Sequence, residues 1–306
     1  MAIVSVQNLK KSYGNVLALR GLTFDVNEGE IYGIIGPDGA GKTSLFRILT
    51  TLLLANEGVA TVDGLDVVKN YKQIRKQIGY MPGRFSLYPD LSVEENLTFF
   101  ATIFNTTIQE NYHLVEDIYK QIEPFKTRKA GKLSGGMKQK LALSCALIHA
   151  PRVLFLDEPT TGVDPVSRKE FWDMLKKLKK HGITILVSTP YMDEAILCDR
   201  IALILDGEFM QVDTPQNIIE GYSETIWSVK SDRMHQLLTD LRLCVNLTSA
   251  FSFGETFHVT VSKGILVDDL EGFLKSKGHQ QIEITPIHAT IEDCFMLLTG
   301  QKNGKE

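Results

Sequence analysis

The sequence predicts an α/β fold with a parallel-sheet core, an antiparallel β subdomain, a helical subdomain and a small C-terminal α+β domain. A glycine-rich loop at residues 36–43 lies between an apolar strand and a run that favours helix. Apolar strands then alternate with helical segments, as in a parallel sheet. After about residue 222 the pattern changes to short alternating strands and helices that carry no chemical motif.

Individual elements follow from local patterns. Predicted strands lie at 4–9, 22–26, 31–35, 59–62, 78–81, 152–156 and 183–187, with a hairpin at 201–205 and 208–212. Ser92 and Glu95 form a capping box, so a helix is expected to start there and run to about residue 104. Further helices are expected at 109–122, 134–149 and 165–180, with another ending at Ala195.

These elements divide the chain into a domain at 1–221, with a helical subdomain at about 84–150, and a second domain at 222–306. In the second domain, strands are expected at 225–230, 256–261 and 281–285, and helices at 232–241, 266–277 and 290–298. A role in dimerisation or regulation is the expectation for this domain.

Composition excludes several classes of protein. The 306 residues carry a net charge of −4, so nothing favours nucleic-acid binding. The four cysteines are scattered, which favours a reducing compartment and implies no zinc site. The first residues alternate like a strand, unlike a signal peptide, and no stretch is long and apolar enough to cross a bilayer.

The loop at 36–43 fits the phosphate-loop pattern at every fixed position. Its glycines allow backbone N–H groups to converge on phosphate oxygens at the start of a helix. Lys42 is expected to reach the β and γ phosphates, and the Thr43 hydroxyl to bind Mg²⁺. Asp38 does not suit this role, because a carboxylate repels a polyphosphate unless it points away.

Two further motifs point to phosphate chemistry. Asp157 ends an apolar strand and is expected to hold Mg²⁺, while the adjacent Glu158 could act as general base on the attacking water. Ser134, Gly135 and Gly136 open a helix, so they offer a hydroxyl and free N–H groups to a second anion.

Together with Tyr13 and the turn at 161–164, these motifs resemble the ATP-binding cassette family over residues 3–220. The resemblance implies a pair of cassettes closed head to tail around ATP. It assigns adenine stacking to Tyr13, hydrolysis to Glu158, Mg²⁺ to Thr43 and Asp157, and the dimer seam to Asp164. Nucleotide binding is assigned to Tyr13, Gly36, Pro37, Asp38, Gly39, Ala40, Gly41, Lys42, Thr43 and Ser44. The signature that faces ATP on the partner cassette comprises Leu133, Ser134, Gly135, Gly136 and Met137.

A finer resemblance is to cassettes of type-2 drug and antibiotic exporters, carried by Tyr80-Met81-Pro82 and the segments 91–97, 191–195 and 291–300. It implies a peripheral ATPase on the cytoplasmic side of the cell membrane, coupled to a separate permease. The apolar loop 85–88 is then expected to receive a helix of that permease, although packing on its own helical subdomain is the alternative.

Two positions depart from the family pattern. Gly83 stands where a glutamine normally senses Mg²⁺ and the attacking water, and Pro190 where a histidine contacts the γ-phosphate. We therefore expect slow hydrolysis at this chain's own site, in an asymmetric pair with a second, active cassette. A homodimer sustained by Glu158 is the alternative arrangement. The competing functions are a regulatory subunit that binds nucleotide without hydrolysis and a soluble cassette ATPase outside transport.

Overall fold

The computed structural model describes residues 2–262 and 264–303, with side chains described as far as residue 300. The chain divides into two compact units between Pro215 and Gln216. Each unit has its own hydrophobic core. Within the described residues, none of the helices combines the length and the apolar character that crossing a membrane requires.

The first unit contains ten strands and six α-helices among the described residues. The strands are β1 (Ala2–Tyr13), β2 (Val16–Asn27), β3 (Ile31–Ile35), β4 (Glu57–Val62), β5 (Leu65–Asp66), β6 (Ile78–Met81), β7 (Val153–Asp157), β8 (Thr184–Thr189), β9 (Arg200–Leu205) and β10 (Glu208–Asp213). The helices are α1 (Lys42–Leu49), α2 (Tyr71–Gln77), α3 (Val93–Ile103), α4 (Tyr112–Tyr119), α5 (Gly135–Leu147) and α6 (Pro165–Lys180).

The core sheet has the strand order β10-β9-β3-β8-β7-β6 and is parallel except for β10. All residues of β3, β7 and β8 are buried, which explains their continuous apolar character. The register pairs Ile35 with Thr189 and Asp157 with Ser188. Because the carboxyl ends of parallel strands lie at one edge of a sheet, the loops that follow β3, β7 and β8 meet there.

Helix α1 fixes the loop that precedes it by burying its apolar side against the sheet. Leu45, Phe46, Ile48 and Leu49 are all buried, and the Phe46 ring meets Phe155 of β7 edge to face at 6.0 Å. Burying side chains of this size stabilises the fold by about 1.5–3 kcal/mol each. A separate antiparallel sheet, with the order β2-β1-β4-β5, places Tyr13 at the turn between its two longest strands.

The helical segment confirms the predicted capping box. The N–H of Glu95 donates to Ser92 Oγ at 3.1 Å, and the N–H of Ser92 donates to Glu95 Oε2 at 2.7 Å. Helix α4 is shorter than the predicted 109–122, because its last turns give way to a 3₁₀ turn around Pro124. The predicted helix ending at Ala195 is a 3₁₀ helix, Met192–Leu197.

The second unit begins within α7 (Pro215–Glu220) and continues in the order βαββαβ, with a final helix. Its elements are β11 (Thr225–Lys230), α8 (Met234–Arg242), β12 (Leu247–Phe253), β13 (Thr256–Val261), α9 (Val267–Ser276), β14 (Glu283–Ile287) and α10 (Ile291–Asn303). The sheet order β12-β13-β11-β14 is that of a ferredoxin-like domain. The predicted strand at 281–285 is shifted to β14, and β12 was not predicted.

Candidate functional site

The loop at 36–43 is held in a narrow space beside the core sheet. A Cβ at Gly36 would lie 2.1 Å from the carbonyl oxygen of Ile204, so only glycine fits there. Gly39 and Gly41 have positive φ angles of 81° and 104°, which L side chains rarely adopt. A Cβ at Gly41 would also lie 2.4 Å from the carbonyl oxygen of Ala18, so the loop needs glycine for close approach at 36 and 41 and for backbone conformation at 39 and 41.

Lys42 lies at the start of α1 and is 3% exposed. Its Nζ donates to the carbonyl oxygens of Gly36 at 2.7 Å and Pro37 at 2.9 Å. It also forms an ion pair with Glu158 Oε1 at 3.2 Å. The structure thus brings together the lysine of the loop and the carboxylate that follows β7.

Asp157 is 2% exposed at the end of β7. Its Oδ1 accepts a hydrogen bond from Ser188 Oγ at 2.7 Å, and the Thr43 side chain also bonds to it. Burial raises the pKa of Asp157 above its usual value, against the lowering effect of these hydrogen bonds. A buried carboxylate beside two hydroxyl groups is a donor set of the oxygen type that Mg²⁺ prefers.

Glu158 has a φ angle of 51°, a conformation that costs a residue other than glycine about 1–3 kcal/mol. Its N–H is directed at Ser188, with the carbonyl oxygen and Oγ both at 3.0 Å. These contacts with β8 hold the strained residue in place. Strain of this kind is concentrated at functional sites.

Tyr13 is 47% exposed, and its hydroxyl lies 3.2 Å from Ser44 Oγ. The exposed ring of Tyr13 therefore lies next to α1, the helix that begins at the end of the loop 36–43. Asp38 is exposed, whereas Ala40 is buried and its carbonyl oxygen accepts the N–H of Gly207 at 3.1 Å.

The signature segment, residues 133–137, lies at the start of α5. Leu133 is buried, while Ser134 and Gly135 are exposed, and Ser134 Oγ accepts the N–H of Met137 at 3.4 Å. A Cβ at Gly136 would lie 2.8 Å from Ser167 Oγ, so α5 and α6 touch at this glycine. In the described part of the chain, no hydrogen bond or ion pair joins this segment to residues 36–44.

Asp164 caps the other helix at this contact. Its Oδ1 accepts the N–H of Ser167 at 3.0 Å, and its pKa is lowered, chiefly by that bond. The structure therefore places Asp164 next to the signature segment and outside the cluster formed by Lys42, Asp157 and Glu158.

The two unusual positions lie next to that cluster. A Cβ at Gly83 would stand 3.0 Å from the carbonyl oxygen of Asp157 and 3.7 Å from Glu158 Cβ. Pro190 directly follows Thr189, whose carbonyl oxygen accepts the N–H of Gly36 at 3.2 Å. Neither position offers a hydrogen-bonding side chain.

Sequence reasoning gave no role to Ser188 or Tyr80. Ser188 bonds to both Asp157 and Glu158, and its only signal in the sequence was a polar residue at the end of an apolar strand. Burial, together with the charge of Asp157, raises the pKa of Tyr80 to about 12, and the Tyr80 hydroxyl bonds to Arg47 of α1. Both residues come from strands adjacent to β7.

A cavity of about 270 Å³ lies between the core sheet and the helical segment. Its lining is largely apolar and includes Tyr80, Leu87, Phe100, Phe104, Cys145 and His149. The His149 ring stacks on Phe104 at 3.7 Å. Of the predicted apolar loop, Phe85 and Tyr88 are 40% and 48% exposed, and the Tyr88 ring rests on Phe99 at 4.7 Å.

Comparison with known proteins agrees with this arrangement. Residues 19–161 match a family model described as ABC transporter. The chain is 36% identical over 306 residues to the probable multidrug ABC transporter ATP-binding protein YbhF of Escherichia coli, an alignment that covers 98% of this chain and 52% of YbhF. It therefore spans about half the length of that relative.

Another relative is matched along almost its whole length. The Nod factor export ATP-binding protein I of Burkholderia lata is 34% identical over 310 residues, with 99% of this chain and 98% of the relative covered. Among solved structures, the dimeric ATP-binding cassette MJ0796 in a post-hydrolysis state with ADP and Pi has a TM-score of 0.63 and 28% identity. That match covers 69% of this chain and 98% of MJ0796. The chain belongs to the ABC transporter family and carries its ATP-binding cassette.

Proposed function

We propose that this chain is the ATP-binding subunit of an exporter, which couples ATP binding and hydrolysis in a pair of cassettes to a separate membrane permease. The observation that carries the proposal is the cluster at the edge of the core sheet. There Lys42, Glu158 and Asp157 meet at the mouth of a loop in which Gly36 and Gly41 leave room only for backbone.

The residues of the loop fit a nucleoside triphosphate. Lys42 is held by two carbonyl oxygens and Glu158, and phosphate oxygens would replace these partners. The backbone N–H groups of residues 36–44 and the start of α1 add positive potential. Tyr13 is exposed beside Ser44 and is placed to stack on the base.

Mg²⁺ fits the donor set of Thr43 and Asp157. Both are oxygen ligands, and burial raises the pKa of Asp157, a cost that a bound cation would offset by stabilising the ionised carboxylate. When bound, Mg²⁺ would neutralise part of the phosphate charge. Glu158 then acts as general base, because its carboxylate stands next to Lys42 on a backbone fixed by Ser188.

A second cassette completes the site. Ser134 and Gly135 are exposed at the start of α5, where a helix N-terminus attracts an anion, and among the described residues they form no hydrogen bond or ion pair with the chain's own loop. We assign them to the ATP of the partner cassette, with Asp164 at the seam. MJ0796, a relative in structure, is dimeric with ADP and Pi.

The cassette's own site is expected to turn over slowly. Gly83 lies against Asp157 and Glu158 but has no amide, and Pro190 has no polar side chain. By analogy, loss of one hydrogen-bond donor at an oxyanion costs about 10²–10³ in rate. An asymmetric pair follows, in which the intact signature of this chain serves an active partner site.

The permease is expected to dock at the 270 Å³ cavity and the adjoining loop 85–88. Apolar lining together with exposed Phe85 and Tyr88 suits the apolar face of a helix. The name of YbhF says multidrug transporter and that of the Nod factor relative says export, which supports an export role. We propose that the subunit lies peripherally on the cytoplasmic side of the membrane, where it meets the permease. The second unit is proposed to dimerise or regulate the pair.

The test of the slow site is to restore the missing side chains. Gly83→Gln is sterically accessible, since its φ is not positive and the closest contact at 3.0 Å needs a shift of only tenths of an ångström. With Pro190→His it should raise ATP turnover at least tenfold, because each restored group stabilises charge in the transition state. Ser86→Gln, in the same loop, is the control and should change nothing. No gain in the double variant would refute the slow-site explanation.

A nucleotide-binding regulatory subunit is the second candidate, and Gly83 with Pro190 favours it. Glu158 is kept in a strained backbone beside Lys42, which a non-hydrolysing site does not need. Turnover by the wild-type chain that disappears in Glu158→Gln would exclude this candidate. Binding of ATP without any turnover, even in the restored variant, would support it.

A further inference from the structure

Arg168 of α6 contacts the segment that follows β8 through three different residues. Its Nε donates to Glu194 Oε1 at 3.1 Å, and a terminal nitrogen donates to both carboxylate oxygens of Asp193 at 3.1 and 3.2 Å. Its guanidinium lies 4.2 Å from the centroid of the Tyr191 ring. The planar guanidinium presents its donors in a rigid fork, which suits it to pair with two carboxylates while it stacks on a ring.

The contacts of Arg168 continue to the phosphate loop. Glu194 is 2% exposed, and its second oxygen accepts the Thr189 hydroxyl at 2.6 Å. Thr189 Oγ1 in turn accepts the N–H of Tyr191 at 3.1 Å. The carbonyl oxygen of Thr189 accepts the N–H of Gly36 at 3.2 Å. An unbroken series of bonds therefore joins α6 to the first residue of the loop.

The same turn of α6 reaches the signature segment. Arg168 donates its N–H to the carbonyl oxygen of Asp164 at 2.9 Å, and Ser167 lies where a Cβ at Gly136 would stand. Arg168 therefore connects the start of α6, which contacts the signature segment, with the segment that follows β8 beside the phosphate loop.

Side-chain hydrogen bonds contribute strongly to holding the segment 189–194 in place. Pro190 has no N–H to donate, so the backbone of the segment loses one hydrogen bond directly after Thr189. Tyr191 uses its N–H on a side chain, and the N–H of Glu194 bonds within the segment, to Tyr191 at 3.2 Å. The buried carboxylate of Glu194 needs a cation to compensate its charge, and Arg168 supplies it.

We propose that Arg168 is a positioning residue that fixes the segment 189–194 against the phosphate loop and thereby sets the rate of ATP turnover. The effect on turnover rests on the proposed function, whereas the effect on the segment does not. Lysine at this position would keep the charge and lose the fork and the stacking, so Arg168→Lys separates geometry from electrostatics.

Arg200 provides a matched control. It pairs with the buried Glu30 at 3.1 Å and lies over the Tyr32 ring at 5.2 Å. It begins β9, at the edge of the core sheet opposite the phosphate loop. Arg200→Lys therefore makes the same chemical change to a similar arrangement and should leave turnover and the segment 189–194 as they are.

The experiment measures two quantities on the full chain. Hydrogen exchange of a peptide covering 189–197 is followed without nucleotide, and ATP affinity and turnover are measured on the same preparations. For Arg168→Lys we expect about tenfold faster exchange at the amides of Tyr191 and Glu194, the effect of weakening hydrogen bonds to a charged group. We expect turnover to fall by about the same factor, with ATP affinity changed less than about twofold.

Unchanged exchange in Arg168→Lys, or equal acceleration in Arg200→Lys, would overturn the proposal. Faster exchange with wild-type turnover would also overturn it, because the position of the segment would then have no bearing on the rate. If neither the wild-type chain nor the variant with Gly83→Gln and Pro190→His turns over ATP, the proposed function fails, and exchange alone decides whether Arg168 holds the segment.

Discussion

The ion pair between Lys42 and Glu158 predicts that Glu158→Gln binds ATP more tightly than the wild-type chain. In the absence of nucleotide, Glu158 Oε1 lies 3.2 Å from Lys42 Nζ, so Lys42 must leave this partner to reach a phosphate. Glutamine has the same shape without the charge. The substitution therefore removes a competitor for the ammonium group and leaves the loop intact.

The magnitude follows from the distance and the exposure. At 3.2 Å the Coulomb attraction is about 5 kcal/mol for an effective dielectric constant of about 20. The Glu158 side chain is 22% exposed, and both groups lose hydration when they pair. The net value is thus about 1 kcal/mol, or roughly fivefold in the dissociation constant for ATP.

The assay is equilibrium titration with ATP and Mg²⁺, combined with turnover by release of phosphate. We expect about fivefold tighter binding, with turnover lower by about 10²–10⁴ because the general base is gone. Thr161→Ala is the control, since Thr161 is only 3.4 Å from Glu158 Oε2 and carries no charge. Equal or weaker ATP binding by Glu158→Gln would show that Glu158 does not compete with ATP for Lys42. Full turnover by this variant would show that Glu158 is not the general base.

Three more predictions follow from single side chains. Asp157→Asn should raise the melting temperature near neutral pH, because burial raises the pKa of Asp157 and the ionised form destabilises the fold. The difference in melting temperature between Asp157→Asn and the wild-type chain should vanish as the pH falls through the raised pKa towards 3.8, because the wild-type carboxyl is then protonated in the folded chain. Thermal melts of both proteins across this pH range test the prediction. Gly36→Ala should abolish ATP binding, since its Cβ would lie 2.1 Å from a carbonyl oxygen. Gly39→Ala has open space around its Cβ, so its positive φ should cost only about 1–3 kcal/mol of folding free energy. ATP titrations of both variants test the difference. Gly135→Ala should keep ATP affinity, because its nearest contact is 3.7 Å away, and should weaken ATP-dependent pairing measured by mass.

Sequence motifs could predict that residues 36–43 and Asp157 lie close together, because both stand where a buried strand ends. Residues 36–43 follow β3 and Asp157 is the last residue of β7, and parallel strands bring such ends together. Contacts across strands could not be predicted in this way. Ser188 meets Asp157 only through the register of β7 and β8, and Arg168 meets Glu194 across 26 positions of the sequence.

The errors in the fold have local causes. Helix α2 was missed because Ile74 is its only buried residue, so it shows no apolar periodicity. Strand β12 was missed because only Ala250 is fully buried among residues that alternate weakly. Without β12, the βαββαβ order of the second unit could not be recognised from the sequence.

All of these proposals require that ATP binds at the loop around Lys42. Equilibrium titration of the wild-type chain and of Lys42→Ala with ATP and Mg²⁺ tests this binding. Lys42 is the buried cation of the site, so its loss should weaken binding strongly while leaving the separate second unit folded. We expect saturable binding of one ATP per wild-type chain and at least about 100-fold weaker binding by Lys42→Ala. Equal affinities of the two proteins would contradict it.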